Sequence, residues 1–352
     1  MSPAGVDIAR VQPFVAAAVQ AAPEYLDPDA TVQKAAELIH EAAGNGARLV
    51  AFPEVFVAGY PYWNWIMTPL EGSAWFERLQ LASIDVPGPH VDVLRDAARS
   101  AGAVVVIGVN ERSPHSAGGL YNTLLTIDSD GTLLGVHRKL VPTWAEKLTW
   151  AGGDGSTLRV HQTDVGPLGV LACGENTNPL ARYTLLAQGE LVHVASYISL
   201  PVAPPTYDMA EAIRLRAINH SFEGKVFTVV SCSTISEQIV DEVAGDDPAR
   251  RELMSRRSSA FSGIVGPDAT LLSEPLIDVE GIAYAEIDLR RCIQPKQMHD
   301  IVGGYNRFDI FDLHVNRQPL AAVTFQGDPT DQASPPRTAD DRRPTGEDDH
   351  DG

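Results

Sequence analysis

The chain has 352 residues, 44% apolar and 21% charged, which is enough to bury a sizeable core, and its formal net charge is −19. That charge argues against a nucleic-acid or anionic-membrane partner. Three cysteines far apart in the chain (Cys173, Cys232, Cys292) suggest neither a disulfide framework nor a zinc spacing, and no stretch reads as a signal peptide or membrane span, so a reducing cytoplasm is the expected setting.

Residues 1–12 read as a loose leader, followed by a domain over 13–320. Phe14 to Val19 is a short apolar strand. Asp29 to Ala43 predicts an amphipathic helix, with Val32, Ala35, Ala36, Ile39, Ala42 and Ala43 on one face and Gly44-Asn45-Gly46 as its stop. Leu49 to Phe52 is the next strand, broken at once by Pro53-Glu54. The aromatic run that follows holds Tyr60, Tyr62, Trp63 and Trp65 between glycine and proline, which suits a pocket or interface as well as a core. His90 to Ser100 predicts a second helix and Ala103 to Val109 a β-branched strand. Leu120 to Ile127 and Thr132 to Arg138 form a hairpin around Ser129-Asp130-Gly131.

Lys139 follows directly, then a loop with Trp144, Glu146 and Trp150 that closes on Gly152-Gly153-Asp154-Gly155. Leu168 to Ala172 is an apolar run typical of a buried strand. It stops at Cys173-Gly174, and Asn176 to Asn178 offer N-caps for a helix over Leu180 to Gln188. Leu191 to Ala195 returns to strand. Tyr207 to Phe222 predicts a helix and Val226 to Ser231 a strand. Thr234 to Ser259 is polar and weakly periodic, and reads as an insertion or mobile loop. Phe261 to Leu272 and Ile282 to Leu289 are closing strands, and 326–352 is expected to be a disordered acidic tail. Strands alternating with helices early, and forming hairpins in the middle, imply an α/β layer fold with a mixed sheet.

Glu54, Lys139 and Cys173 each fall at a strand's C-terminal end, where α/β folds gather reactive groups. Taken singly, Glu54 caps a turn, Lys139 belongs to an exposed basic run, Glu146 pairs with Lys139 or Lys147, and Cys173 is either an activated thiol or a buried core thiol. Together their roles are complementary, because a thiol of ordinary pKa near ~8.5 needs a base and a nearby cation to react at neutral pH. No Gly-x-Ser-x-Gly elbow, metal motif, P-loop or dinucleotide fingerprint is present, so no cofactor or metal is expected.

The blocks AFPEVFVAGYP, HRKLVPTWAEKLTWAGGDGS and LACGENTNPLARYTLLAQGE resemble, in order, the signature blocks of the nitrilase branch of the carbon–nitrogen hydrolase superfamily, and the resemblance runs from about Val15 to Asn316. It implies a four-layer α-β-β-α sandwich and a Glu-Lys-Cys triad at Glu54, Lys139 and Cys173, with Glu146 as a further glutamate. It also implies a homodimer or a larger spiral homo-oligomer. Two departures stand out. Gly174 replaces the tryptophan that many nitrilases carry after the cysteine, and Gly303-Gly304-Tyr305-Asn306-Arg307-Phe308-Asp309 lacks the histidine and proline of the usual late block.

The implied reaction is hydrolysis of a small-molecule nitrile by water through a cysteine thioimidate and thioester. Lys139 and the Gly174 N–H would stabilise charge on the substrate. Tyr60, Trp63, Trp144, Asn176 and Tyr197 are the pocket-wall candidates, and their aromatic character favours an aromatic or arylaliphatic nitrile. The alternatives are an amidase or a nitrile or cyanide hydratase of the same superfamily and, from another class, a non-catalytic oligomeric assembly protein.

Overall fold

The computed structural model describes residue 8 and residues 11–323. Nearly all of the expected leader, and the whole of the acidic tail expected over 326–352, lie outside the described residues. The chain divides into a compact unit ending at Gln318 and a second beginning at Pro319, of which only 319–323 are described.

The elements follow the sequence in this order: β1 (Phe14–Gln20), α1 (Pro28–Gly44), β2 (Ala47–Ala51), α2 (Trp63–Ile66), α3 (Pro69–Ala82), α4 (Pro89–Ala101), β3 (Val104–Arg112), β4 (Leu120–Ile127) and β5 (Leu133–Arg138). Next come β6 (His161–Thr163), β7 (Gly166–Ala172), α5 (Pro179–Leu186), β8 (Val192–Tyr197), α6 (Met209–Gly224) and β9 (Phe227–Cys232). The unit closes with α7 (Glu237–Ala244), α8 (Pro248–Met254), β10 (Phe261–Val265), β11 (Leu276–Ile277), β12 (Gly281–Ile287) and α9 (Ile293–Met298). Among the described residues no helix is long and apolar enough to cross a membrane.

Two six-stranded mixed sheets result, ordered β12-β1-β2-β3-β4-β5 and β11-β10-β9-β8-β7-β6. The strands alternate between two apolar faces. Ala16, Ala18, Leu49 and Val106 of the first sheet pack on Leu168, Val170, Val194 and Val229 of the second. On its other face the first sheet packs Ala17, Val19, Val50 and Val105 on Ile39 and Leu94 of α1 and α4. The second sheet packs Ala195, Tyr197 and Val230 on Met209 and Ile213 of α6. The layer order is therefore α-β-β-α, as the family resemblance implied. Each buried valine or leucine contributes about 1.5–3 kcal/mol.

Three sequence expectations change. Thr234 to Ser259 is not a loop, since α7 and α8 are N-capped by Ser236 and Asp247 and bury Ile239, Val240, Val243 and Met254. Helices of eight and seven residues are too short to show much periodicity, and Gly245 separates them. The strand expected over Phe261 to Leu272 ends at Val265. There Gly266 and Ala269 (φ 67°) turn the chain back, and the Leu272 N–H donates to the Ile264 carbonyl. Helix α3 has no counterpart in the sequence reading; Thr68 and Glu71 form a capping box at its start.

Candidate active site

Glu54, Lys139 and Cys173 lie on three strand-end turns that the two facing sheets bring together. Pro53 ends β2, and the turn it starts lies flat on β3: the Gly108 N–H donates to the Pro53 carbonyl, and the Val57 N–H to the Gly108 carbonyl. A Cβ on Gly108 would sit 2.3 Å from the Val55 nitrogen, so only glycine lets the Glu54 turn dock there. The Glu54 N–H in turn donates to the Tyr197 carbonyl at the end of β8, which ties the first sheet to the second.

Lys139 continues the β4–β5 pairing, its N–H donating to the Asn122 carbonyl at 2.8 Å. Its side chain is fully buried, and Nζ lies 2.7 Å from both Glu54 Oε1 and Glu146 Oε2. Two of the three ammonium hydrogens are thereby used. Asn122 Nδ2 also donates to Glu54 Oε1, at 2.7 Å, and leaves Glu54 Oε2 buried with no partner among the described residues. Glu146 is held more completely: Oε1 accepts from Tyr60 OH at 3.0 Å, and Oε2 accepts from both Lys139 and the Thr143 N–H.

Cys173 follows β7 at φ 44°, a left-handed conformation that non-glycine residues rarely adopt, and opens a short 3-10 turn over Cys173–Thr177. It is 8% exposed. Burial and the Glu54 charge push its thiol up to about 12 against the opposing pull of Lys139, so the resting group is a thiol. Burial likewise raises Glu54 from its ordinary 4.5 to about 7, with Lys139 lowering it and Glu146 raising it. Lys139 is held well above its usual value, because Glu146 and Glu54 outweigh its burial. The arrangement is a cationic ammonium, a carboxyl poised to exchange a proton near neutrality, and a thiol within their electrostatic reach.

The profile of the carbon–nitrogen hydrolase family matches residues 15–297. The chain belongs to that family. This hydrolase is 37% identical over 308 residues to a nitrilase of Paraburkholderia phymatum, covering 88% of each chain. It is 39% identical over 314 residues to an aliphatic nitrilase of Rhodococcus rhodochrous, covering 88% of this chain and 84% of the relative. Among solved structures, a carbon–nitrogen hydrolase of Helicobacter pylori superposes with a TM-score of 0.62 at 20% identity, over 82% of this chain and 93% of that one. A Nesterenkonia amidase superposes at 0.57 with 17% identity, over 81% and 94%. These two share the fold. The relatives place the chain among nitrilase-superfamily hydrolases acting on carbon–nitrogen bonds.

The pocket-wall candidates of the hydrolase separate. Tyr60 is buried and hydrogen-bonded to Glu146. Tyr197 is buried with its hydroxyl unpartnered among the described residues. Trp144, at φ 45°, is 73% exposed and edge-on to Trp65. Trp63 is a core residue instead, 1% exposed and stacked on Trp75. Asn176 is buried, and its side chain holds the backbone of the Cys173 turn rather than facing an opening. Beside Gly174 the space is bounded by Thr143, whose Oγ1 would lie 3.1 Å from an added Cβ.

The role of Glu175, like the Asn122 donor to Glu54, escaped the sequence reading. Glu175 is buried and accepts from the Ala172 N–H at 2.7 Å, from the Leu140 N–H at 2.8 Å and from His137 Nε2 at 3.2 Å. It therefore clamps the Cys173 turn to the Lys139 segment. Burial raises its carboxyl, yet His137 and the two backbone donors hold it below the ordinary range. A glutamate two residues after a candidate nucleophile was the available signal.

Proposed function

We propose that the protein is a nitrilase that converts an organic nitrile to the carboxylic acid and ammonia. The observation that carries the reading is the buried Lys139 ammonium between Glu54 and Glu146, with Cys173 on the adjoining strand end. The names of the relatives favour the nitrile branch, since those at 34–39% identity are called nitrilases.

In this cycle Glu54 takes the Cys173 proton at Oε2, which has no donor among the described residues, as the sulfur attacks the nitrile carbon. The proton passes to the substrate nitrogen, giving a thioimidate. The third N–H of Lys139 and the backbone N–H of Gly174 stabilise the charge that develops there. Glu54 then activates a water, ammonia leaves, and a second water releases the acid from the thioester and restores the thiol. Glu146 orients Lys139.

The test is a panel of aliphatic, arylaliphatic and aromatic nitriles beside their amides, with acid, amide and ammonia all quantified. The expected result is acid and ammonia from nitriles, with a substrate-derived mass increment trapped on Cys173 and absent from Cys173→Ala. Turnover of the amides alone would assign the chain to the amidases, and product that stops at the amide would make it a hydratase.

A further inference from the structure

Behind the nucleophile turn lies a second buried polar cluster that the reaction above does not use. Glu190, just before β8, accepts from His193 Nδ1 at 2.7 Å through Oε1 and from His220 Nε2 at 3.0 Å through Oε2. All three side chains are buried, and the imidazoles lie 4.1 Å apart between centroids. On the strands flanking β8, His193 pairs with Gly169 and Thr228, neither of which titrates. A Cβ on Gly169 would fall 2.0 Å from Glu190 Oε1, so the glycine inside the apolar strand β7 makes room for this carboxylate. The three side chains are a set that a cation could use. The N···O separations are hydrogen-bond lengths, however, and satisfy the carboxylate without one.

The other ring nitrogen of His193 leads to the active site. Nε2 lies 2.8 Å from Asn176 Oδ1, and Asn176 Nδ2 donates to the carbonyls of Leu171 (3.2 Å) and Cys173 (3.1 Å). Those two carbonyl oxygens can only accept, which fixes the amide orientation and makes Oδ1 the acceptor. His193 must then donate from Nε2. Its Nδ1 lies 2.7 Å from Glu190 Oε1, the oxygen of a carboxylate held below its ordinary range despite burial, so that nitrogen must donate as well. His220, lowered to about 4 by burial and by His193 although Glu190 raises it, is neutral, with its one hydrogen on the Nε2 that faces Glu190; Arg182 of α5 also lowers it.

We infer that His193, donating from one ring nitrogen to Glu190 and from the other to Asn176, acts with Asn176 to aim the Gly174 N–H at the reacting nitrogen of the substrate. The link is the rigidity of one peptide. In a trans unit the Cys173 carbonyl and the Gly174 N–H point in opposite directions from a single plane, so gripping the oxygen from behind sets the direction of the hydrogen in front. Glu190, His193 and Asn176 are positioning residues. The inference rests on the proposed function only for the Gly174 N–H as charge-stabilising donor.

The experiment uses the full chain with ¹⁵N-labelled histidine and His193→Gln for assignment. Both ring nitrogens of His193 are expected to carry the hydrogen they donate to Glu190 and Asn176, and a ring nitrogen without one overturns the inference. In kinetics, Asn176→Asp presents an oxygen to the two carbonyls and releases their grip. It is expected to lower kcat by up to about a hundredfold to a thousandfold, the scale of losing an oxyanion donor, with KM within about threefold. Alkylation of Cys173 by iodoacetamide, which needs no such donor, should stay within about threefold of the parent, while equal losses of alkylation and turnover would overturn the inference. Glu190→Gln can donate to His193 Nδ1 and keep a neutral Nε2–H donor, so it should retain more kcat than Glu190→Leu; equal losses count against the chain of contacts. Should Asn176→Asp fail to fold, the ring nitrogens of the parent decide. A parent that hydrolyses neither nitriles nor amides removes the proposed function, and the histidine readout still decides the charge of His193.

Discussion

Replacing Glu54 with glutamine separates its cost to the fold from the use the proposed reaction makes of it. Burial raises the carboxyl from 4.5 to about 7, so the folded state binds the proton more tightly than the unfolded chain. Each tenfold change in proton affinity is worth about 1.4 kcal/mol, which makes the ionised side chain a liability of about 3 kcal/mol. The sign follows from linkage. Below pH 4.5 the group is protonated in both states and costs nothing; as pH rises through about 7 the penalty grows and then levels off. The glutamine side chain is isosteric with the protonated carboxyl. Its amide oxygen can still accept from Lys139 and Asn122, and its amide nitrogen would occupy the place of Oε2, which has no partner to lose among the described residues. Glu54→Gln is therefore expected to abolish turnover while raising Tm at pH 8 by about 5 °C, a gain that shrinks towards zero near pH 4.5. Differential scanning calorimetry from about pH 5 to pH 8 measures both the size and the slope. A variant less stable than the parent at pH 8, or a gain independent of pH, would refute the reasoning.

The same carboxyl predicts that kcat/KM falls about tenfold per pH unit below about 7, because the base must be ionised to accept the thiol proton; a flat profile from about pH 5 to pH 8 counts against Glu54. Glu175→Gln puts an amide N–H against donors that now have a carboxylate oxygen, and should cost about 2–4 kcal/mol in urea unfolding. Ile239→Ala opens a cavity in a helix the sequence read as a loop, and should cost about 2–4 kcal/mol. An unchanged midpoint would return that segment to the surface.

What was legible in the sequence follows from the range over which each signal acts. Continuous β-branched runs such as Val104 to Val109 announce a strand buried on both faces, and β3 formed there. Glu54, Lys139 and Cys173 could be picked out because each falls at, or within two residues of, the C-terminal end of an expected strand. Helix α3 left no clear signature, because Leu70 and Leu81 are exposed and blur the apolar stripe. The partners of the site were illegible for another reason. Asn122 meets Glu54 only through the register that sets Thr123 against Arg138, and Asn176 meets His193 only because β7 and β8 pair in parallel. A local pattern does not carry such registers. Trp63 and Trp144 show the same limit: their aromatic character suggested both as pocket walls, and packing on Trp75 made the first a core residue.

The unequal hydrogen bonding of the two glutamates explains why one of them suits the base. One ammonium between two carboxylates leaves a buried cluster with one negative charge in excess, and a site closed to water favours taking up a proton. Glu146 has donors on both oxygens: Tyr60 on one, Lys139 and the Thr143 N–H on the other. Glu54 has both its donors on Oε1 and, among the described residues, none on Oε2. A proton shared by the pair therefore settles on Glu54 Oε2, where it displaces no hydrogen bond. On the proposed reading that is also the atom that, once ionised, receives the Cys173 proton, so the asymmetry that decides where the resting cluster takes up a proton also selects the base.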